Sequence, residues 1–483
     1  MPDAPEPFDD LLTHAHETRV VVVGAGIAGL VAAWECARVG MPVTVLEASD
    51  DVGGTVATAE VAGLALDIGA DCWSRSDAVR ELVEELGLTG RVITPADEGT
   101  WIAGLPRDAA APVPADAVLG IPANPWDESA RRFIGWSGAW RAYLDRLRPP
   151  LTIGKELNLA RLVRTRMGDA VLERMVAPLT AGRYGISPDA VDVSAAAPGL
   201  STALTRTGSL GGAVADLLVG RRGPAVESLD GGMRQLIDAL VTRLADLGAV
   251  VETGASVDVV VRDDDGWRAL DGAEERARGD VLIVAASPHA AARLLAPHAG
   301  ETVGLMTDAA STREIVTLVV DAPELDAAPR GSQIYRVPGS GPASGLVHGT
   351  ARWEWLARAA GPGRHVVRVA FDRPPGSAAA SATSDTEAVA AAREEASAVL
   401  GVRIDADAVR GWHRAEFPLP LPASALGHDE RAAGVRSAVT AVPGLAAVGA
   451  WLAGSGLAAV VGHARAEAER VRRAALWGSA SAG

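Results

Sequence analysis

Three glycines, Gly24-x-Gly26-x-x-Gly29, stand between a β-branched apolar run, Arg19–Val23, and an apolar stretch, Leu30–Val39, that Gly40 closes. This spacing suits a diphosphate. The first glycine permits a tight turn, the second lets a pyrophosphate approach the backbone, and the third lets helix and strand pack closely. The amino end of the helix would offer free amides and its positive dipole end to the phosphates. A second apolar run, Pro42–Leu46, ends at Glu47. A carboxylate there accepts ribose hydroxyls and repels a 2′-phosphate. Gly24, Ala25, Gly26, Ile27, Ala28, Gly29, Glu47 and its neighbour Ala48 are therefore the candidate nucleotide contacts. The triplet alone does not choose between FAD and a nicotinamide dinucleotide.

Positioning these residues takes one strand–helix–strand crossover, and two parallel strands can be joined in no shorter way. Further along, Val79, Leu82, Val83 and Leu86 mark one face of a helix over Ser76–Leu86, stopped by Gly87. Met233, Leu236, Ile237, Leu240, Leu244 and Leu247 predict a second strong helix. Strands follow at 249–252, 256–262 and 267–270, with a turn at Asp263–Gly266, then a buried strand at 280–285. Strands at 313–321 and 364–371 belong to a separate sheet. Residues 376–383 read as a small-residue linker, and Ser384-x-x-Glu387 as a capping box opening a helix. The expected fold class is α/β: a doubly wound, Rossmann-like layer with an inserted α+β domain.

Composition sets the outer limits. The 483 residues are 48% hydrophobic and 22% charged, which fits a folded globular chain. A net charge of −16 argues against nucleic acid or an anionic membrane as main partner. An acidic substrate would need a local arginine cluster. Two cysteines, Cys36 and Cys72, make neither a disulfide framework nor a zinc site, and no metal is expected. Residues 1–18 hold Pro2, Pro5, Pro7 and five acidic groups, unlike a secretory signal, and read as a disordered tail. The apolar stretch 438–462 is broken by Pro443 and several glycines, so no membrane span is expected. The expected location is cytoplasmic.

Beyond the triplet stand Gly53-Gly54-Thr55 and Leu66-Asp67-Ile68-Gly69-Ala70-Asp71-Cys72-Trp73. The run from Val20 to Gly54 resembles the FAD fingerprint of the amine-oxidase superfamily, and the whole chain past the tail resembles its protoporphyrinogen/coproporphyrinogen oxidase members. Asp67–Trp73 is similar to their Asp-Leu-Gly-Pro-Asp-Ser-Phe stretch. Gly120-Ile121-Pro122, Arg174-Met175-Val176-Ala177-Pro178 with Gly182 and Tyr184, and Gly208-Ser209-Leu210 resemble their substrate-domain segment. Gly231-Gly232-Met233, Pro443-Gly444-Leu445, Gly449-Ala450 and Gly454-Ser455-Gly456 resemble the returns into the FAD domain. The chain departs from the family at Thr55–Thr58, where no basic residue follows the paired glycines.

The resemblance implies FAD as cofactor. It implies contacts from Gly53, Gly54 and Thr55, from Gly69, Ala70, Asp71 and Cys72 bordering the flavin, and from the backbone of Val257 at the adenine. Ala285, Gly449, Gly456, Leu457 and Ala458 complete the expected set. It implies FAD segments over 19–73, 218–300 and 401–475, a substrate domain over 74–217 and 301–400, and a tail over 476–483. The implied reaction takes six electrons from a porphyrinogen, with O2 as acceptor and hydrogen peroxide as product. Coproporphyrinogen III is preferred over protoporphyrinogen IX. No catalytic acid, base or nucleophile is assigned.

Propionate groups call for arginine. Arg75, Arg174 and Arg183, with Tyr184, are the substrate candidates. Trp126, Trp136 and Trp140 could line an apolar porphyrin slot, face a membrane, or fill a core. An amine oxidase on the same fold is the nearest alternative. Many of those keep a lysine by the flavin, whereas the one lysine here, Lys155, falls in the substrate segment. A non-catalytic porphyrin- or partner-binding member is the reading from another class.

Overall fold

The computed structural model describes residues 8–96, 99–148, 157–219, 226–300, 304, 306, 311–373 and 384–477. Lys155 and the linker expected at 376–383 lie outside the described residues. At its centre is a five-stranded parallel sheet. Its order is Val250–Glu252, Val43–Leu46, Val20–Val23, Val281–Val284, Leu445–Ala447. The strands are short and nearly all apolar because both faces are covered. On one face Val20, Val22, Val43 and Val45 pack against helices Ile27–Ala37, Arg234–Asp246 and Leu457–Trp477. On the other, Val21, Val23 and Leu282 meet Trp267 of a three-stranded meander and helices Pro288–Ala299 and His428–Thr440. Chain order reverses between Val20–Val23 and Val281–Val284, the place where doubly wound sheets open a crevice at their carboxyl ends.

A second, seven-stranded sheet runs in the order Val409–Leu419, Ser311–Asp321, Arg364–Arg373, Gly345–His348, Gln333–Arg336, Thr100–Leu105, Ala109–Pro112. Val316, Leu318, Val320, Val367 and Val369 form its inner face and bury helix Asp385–Leu400. Both halves of the capping box on that helix are made: Ser384 accepts from the Glu387 amide, and Glu387 accepts from the Ser384 amide. A helical layer spanning Glu128–Leu218 has its own core around Phe133, Leu159, Met175 and Leu210. Among the described residues no helix is long and apolar enough to cross a membrane.

Three expectations change. The tail expected over 1–18 is helical from Phe8 to Glu17. Its prolines all precede Phe8, so nothing downstream interrupts a helix. Ala15 is buried in the nucleotide-layer core, and the Thr18 hydroxyl donates back to the His14 carbonyl at 2.8 Å. At the other end the last helix continues through Trp477, past the expected start of the tail. The return expected from residue 401 is also delayed. Val409–Leu419 pairs antiparallel with Ser311–Asp321, so the chain leaves the large sheet only after Leu419.

Asp67 joins the two layers. Both its oxygens accept from the Met233 amide, at 3.0 and 3.1 Å. Burial pushes its pKa from the ordinary 3.8 up to about 6, against the lowering effect of that amide, and Asp71 adds to the rise. The folded state therefore holds this proton more tightly than the unfolded chain. The stability it contributes is present below about pH 4 and lost as pH rises through about 6. Asp67→Asn keeps an acceptor for Met233 and removes the titration. Its stability relative to the parent is expected to grow between pH 4 and 7 by on the order of 2–3 kcal/mol. Urea unfolding at the two pH values checks this; parallel pH profiles would refute it.

Candidate functional site

The glycine turn lies at the carboxyl ends of the central strands. A Cβ on Gly24 would meet the Ala285 carbonyl oxygen at 2.6 Å, and one on Gly29 would meet the Gly24 oxygen at 1.9 Å. These two glycines are required by packing alone. Gly26 differs, because a Cβ there would find only the Gly54 Cα, at 4.0 Å. The fold leaves room above Gly26, and packing does not require a glycine there. Gly53 donates to the Ala25 carbonyl at 2.8 Å and bridges to Gly26, which lays the second glycine pair over the first turn. Ile27 and Ala28 are buried and offer only backbone.

Glu47 is held ready. One carboxylate oxygen accepts from the Ala25 amide at 2.7 Å, the other from the Ser49 amide at 3.0 Å and the Ser49 hydroxyl at 2.6 Å. Ala25 thus spends its amide on Glu47. Ala48 is exposed beside it. The loop holding Val257 runs alongside, since the Ala255 and Gly254 amides donate to the Glu47 and Ser49 carbonyls at 2.8 and 2.9 Å. Val257 falls outside the neighbouring strand, which begins at Val259 and not at the expected 256. Asp51, at the loop tip, is gripped by Arg234 through two bonds of 2.6 and 3.0 Å. On the far side, Ala285 and Gly449 follow adjacent strands, with the Val448 amide donating to Val284 at 2.9 Å.

From Gly54 the site continues through Thr55, whose carbonyl accepts from Ala70 at 2.8 Å. Gly69, Asp71 and Cys72 then form one wall of a cavity of about 410 Å³. Gly456 and Leu457 share that wall and open the last helix, so the Leu457 and Ala458 amides lie at its amino end. The residues read from the sequence as a dinucleotide cradle and flavin border thus follow one continuous path, from the sheet crevice to a cavity. An elongated dinucleotide fits that path. Glu47 would hold its ribose, the turn at Gly26 its diphosphate, and Gly69–Cys72 with Gly456–Ala458 its redox ring.

The opposite wall is the outer face of the seven-stranded sheet. Alternation puts Arg313 and Ile315, Arg368 and Ala370, Gly345 and Val347, and Gln333 and Tyr335 on that face. Register aligns Thr317, Arg368, Val347, Gln333 and Thr100 in one row across five strands. Four arginines line the cavity, Arg183, Arg313, Arg352 and Arg368, against one carboxylate, Asp71. Arg313 makes a two-pronged bond to Asp372 at 2.6 and 2.7 Å. Arg352 and Arg368 flank Asp71 at 3.9 and 3.7 Å, and the Trp353 indole donates to it at 3.2 Å. Burial alone would push the Asp71 pKa up, but Arg368 and Arg352 outweigh it and hold the carboxyl below its usual range. Burial pushes the Cys72 thiol up to about 12. Arg183 has no carboxylate partner among the described residues; its guanidinium lies 5.5 Å from the Tyr184 ring centre.

Of the arginines named from the sequence, only Arg183 lines this cavity. Arg75 pairs with Glu227 at 2.9 Å, and Arg174 donates to the Phe133 carbonyl at 3.2 Å inside the helical layer. Tyr184 stacks beside Arg183 but is not part of the lining. The tryptophans do not form a slot here. Trp126, Trp136 and Trp140 cluster with Tyr143 elsewhere, and Trp136 and Trp140 are exposed. Arg313, Arg352 and Arg368 escaped the sequence reading. The available signal was a lone charge inside an apolar strand, as in Val366-Val367-Arg368-Val369. Arg368 donates to the Gly69 carbonyl from the facing sheet.

The comparisons with known proteins agree with this geometry. A family model described as flavin containing amine oxidoreductase matches residues 27–472. A coproporphyrinogen III oxidase of Propionibacterium freudenreichii is 30% identical over 521 residues, taking in 99% of this chain and 94% of that protein. One from Mycobacterium tuberculosis is 31% identical over 456 residues, with 92% and 95% covered. Among solved structures, a protein from Exiguobacterium named for protoporphyrinogen oxidase superposes with a TM-score of 0.81 at 23% identity, covering 94% of this chain and 98% of that one. A putrescine oxidase reaches 0.64 at 18% identity, covering 95% and 99%. These two likenesses speak for the fold. Matched along nearly its whole length, the chain is an FAD-dependent oxidoreductase that belongs to the flavin-containing amine oxidoreductase family and, within it, to the porphyrinogen oxidases.

Proposed function

We propose that the protein oxidises coproporphyrinogen III to coproporphyrin III, with O2 as acceptor and hydrogen peroxide as product. One observation carries the choice of substrate: a cavity lined by four arginines and one carboxylate, in a chain whose net charge is −16. Such a pocket concentrates a polyanion that the rest of the surface repels. A tetracarboxylate answers it better than the dicarboxylate protoporphyrinogen IX. The names of the relatives point the same way.

Bound FAD supplies two-electron acceptance, so three passes remove the six electrons. The chain's own groups bind and orient. Among the described residues lining the cavity, Arg183 is the arginine left to take a propionate, since Arg313, Arg352 and Arg368 are already engaged with Asp372 or Asp71. Ile315, Leu346, Val347 and Ala370 give an apolar floor that excludes water from the macrocycle. No side chain is called on as nucleophile. A cytoplasmic enzyme, with a nucleotide layer around the parallel sheet and a substrate layer around the large one, completes the reading.

The test is to incubate the flavin-loaded protein with coproporphyrinogen III, protoporphyrinogen IX and a panel of amines. Porphyrin fluorescence rising with peroxide, fastest with the tetracarboxylate, is the expected result; peroxide with amines only would overturn it. Arg183→Met is expected to raise KM for coproporphyrinogen III roughly tenfold with kcat unchanged, as one charge-assisted bond is lost. Initial rates by fluorescence decide this, and an unchanged KM would remove Arg183 from the site.

A further inference from the structure

We propose that Tyr335 selects a carboxylate-bearing substrate by donating its hydroxyl proton into the cavity, in a direction fixed by a hydrogen-bond chain that starts at Arg352. This rests on the functional reading above and names a recognition element within it.

The direction follows from donor and acceptor types. Arg352 carries only N–H donors, so the group facing it must accept. Gln333 Oε1 does so, at 3.2 Å from Arg352 Nη1. The Gln333 amide nitrogen is thereby turned to Tyr335, and donates to its Oη at 2.6 Å. Flipping the amide would set its NH2 group against a guanidinium, donor against donor. The Tyr335 oxygen therefore accepts, and its own proton is left over. Among the described residues Gln333 is its one hydrogen-bond partner. A hydroxyl on a residue only 8% exposed needs an acceptor, and the cavity that Tyr335 lines is where a ligand can supply one.

The ring is held in place by absence of bulk. A Cβ on Gly182 would meet Tyr335 Cδ1 at 2.1 Å, and one on Gly345, its cross-strand partner, at 3.1 Å. The neighbouring charges favour an anion. Arg183, Arg352 and Arg313 all favour negative charge at Tyr335, against burial and the Cys72 thiol. At its origin the chain is tied to the flavin border, since Arg352 lies beside Asp71 and donates to Cys72 Sγ at 3.6 Å. Substrate recognition is thus wired to the wall that would carry the redox ring.

The experiment titrates flavin-loaded protein with coproporphyrin III and with its tetramethyl ester, following porphyrin fluorescence. Tyr335→Phe is expected to weaken binding of the free acid about ten- to thirtyfold and to leave the ester unchanged. With coproporphyrinogen III its KM rises and its kcat holds. Gln333→Glu provides an independent arm. A carboxylate accepts from both Arg352 and Tyr335, so the Tyr335 proton turns away from the cavity although the hydroxyl remains. The loss caused by Gln333→Glu is therefore expected to be larger with Tyr at 335 than with Phe. Equal binding of the acid by Tyr335→Phe and parent overturns the proposal, as does an equal loss of acid and ester or an additive double variant. If the parent protein binds neither porphyrin, the substrate reading itself falls.

Discussion

Gly26→Ala is expected to yield a protein that folds like the parent and has lost its flavin, whereas Gly29→Ala is expected not to fold stably. The two changes add the same methyl group, three residues apart, to one turn. At Gly29 the new Cβ would sit 1.9 Å from the Gly24 oxygen and 3.0 Å from the Ala285 Cβ, both fixed by the central sheet. No side-chain rotation relieves a clash with backbone, and overpacking of this kind costs at least ~3 kcal/mol. At Gly26 the backbone is extended, with φ of −65° and ψ of 169°, and the nearest atom is 4.0 Å away. The methyl group is therefore harmless to the chain and intrudes only on what approaches the turn from outside. Displacing a diphosphate from the helix amides is expected to lower FAD affinity at least ~100-fold, about 3 kcal/mol. Thermal unfolding of apoprotein, paired with flavin absorbance after gel filtration, separates the two effects. A yellow Gly26→Ala protein, or a stable Gly29→Ala protein, would contradict this division of labour between the two glycines.

That division was only partly legible in the sequence. The strand, turn, helix and acid around Gly24–Glu47 are contiguous, so each local preference and its neighbour report on one structure. The same holds for the capping box at Ser384 and for the helix stepping through Leu236, Leu240 and Leu244, although that helix begins at Arg234. The cavity wall opposite the flavin border is another matter. Gln333–Arg336 runs parallel to Thr100–Leu105, and Val409–Leu419 reaches back to Ser311–Asp321. Nothing in the local pattern of any of these strands encodes its partner, and hence which arginines share a row. Arg313 and Arg368 look like solvated strand charges until the register places them on one face. Arg75 and Arg174 show the converse error: proximity in sequence to the flavin border or to a family motif did not bring their guanidinium groups to the cavity. The amino-terminal helix escapes the sequence pattern because the prolines before Phe8 and the acids of residues 1–18 dominate the composition, while the burial of Ala15 in the nucleotide-layer core depends on the tertiary fold.

The charge that orders this wall is Asp71, and its removal is expected to be the most damaging single change in the cavity lining. Arg352 and Arg368 are 5% and 8% exposed, and Asp71 is the acid between them. Asp71→Ala leaves two buried guanidinium groups facing each other, and deprives the Trp353 indole of its acceptor. Breaking a buried ion pair from one side costs about 3–5 kcal/mol, because the surviving charge is uncompensated rather than because the pair itself was strong. The same logic predicts partial rescue. Asp71→Asn keeps an acceptor for Trp353 but no charge, and adding Arg368→Met to it removes one of the two stranded cations. The double variant is expected to recover at least about 1 kcal/mol relative to Asp71→Asn alone, a non-additivity that marks direct coupling. It should not recover flavin, because Arg368 also holds the Gly69 carbonyl at the proposed flavin border. Urea unfolding of the apoproteins gives the coupling, and retained flavin absorbance gives the second readout. Additive energies would show that Asp71 and Arg368 act independently. Restored flavin in the double variant would show that the grip on Gly69 is dispensable, and that the border is set by the loop from Thr55 to Ala70 alone.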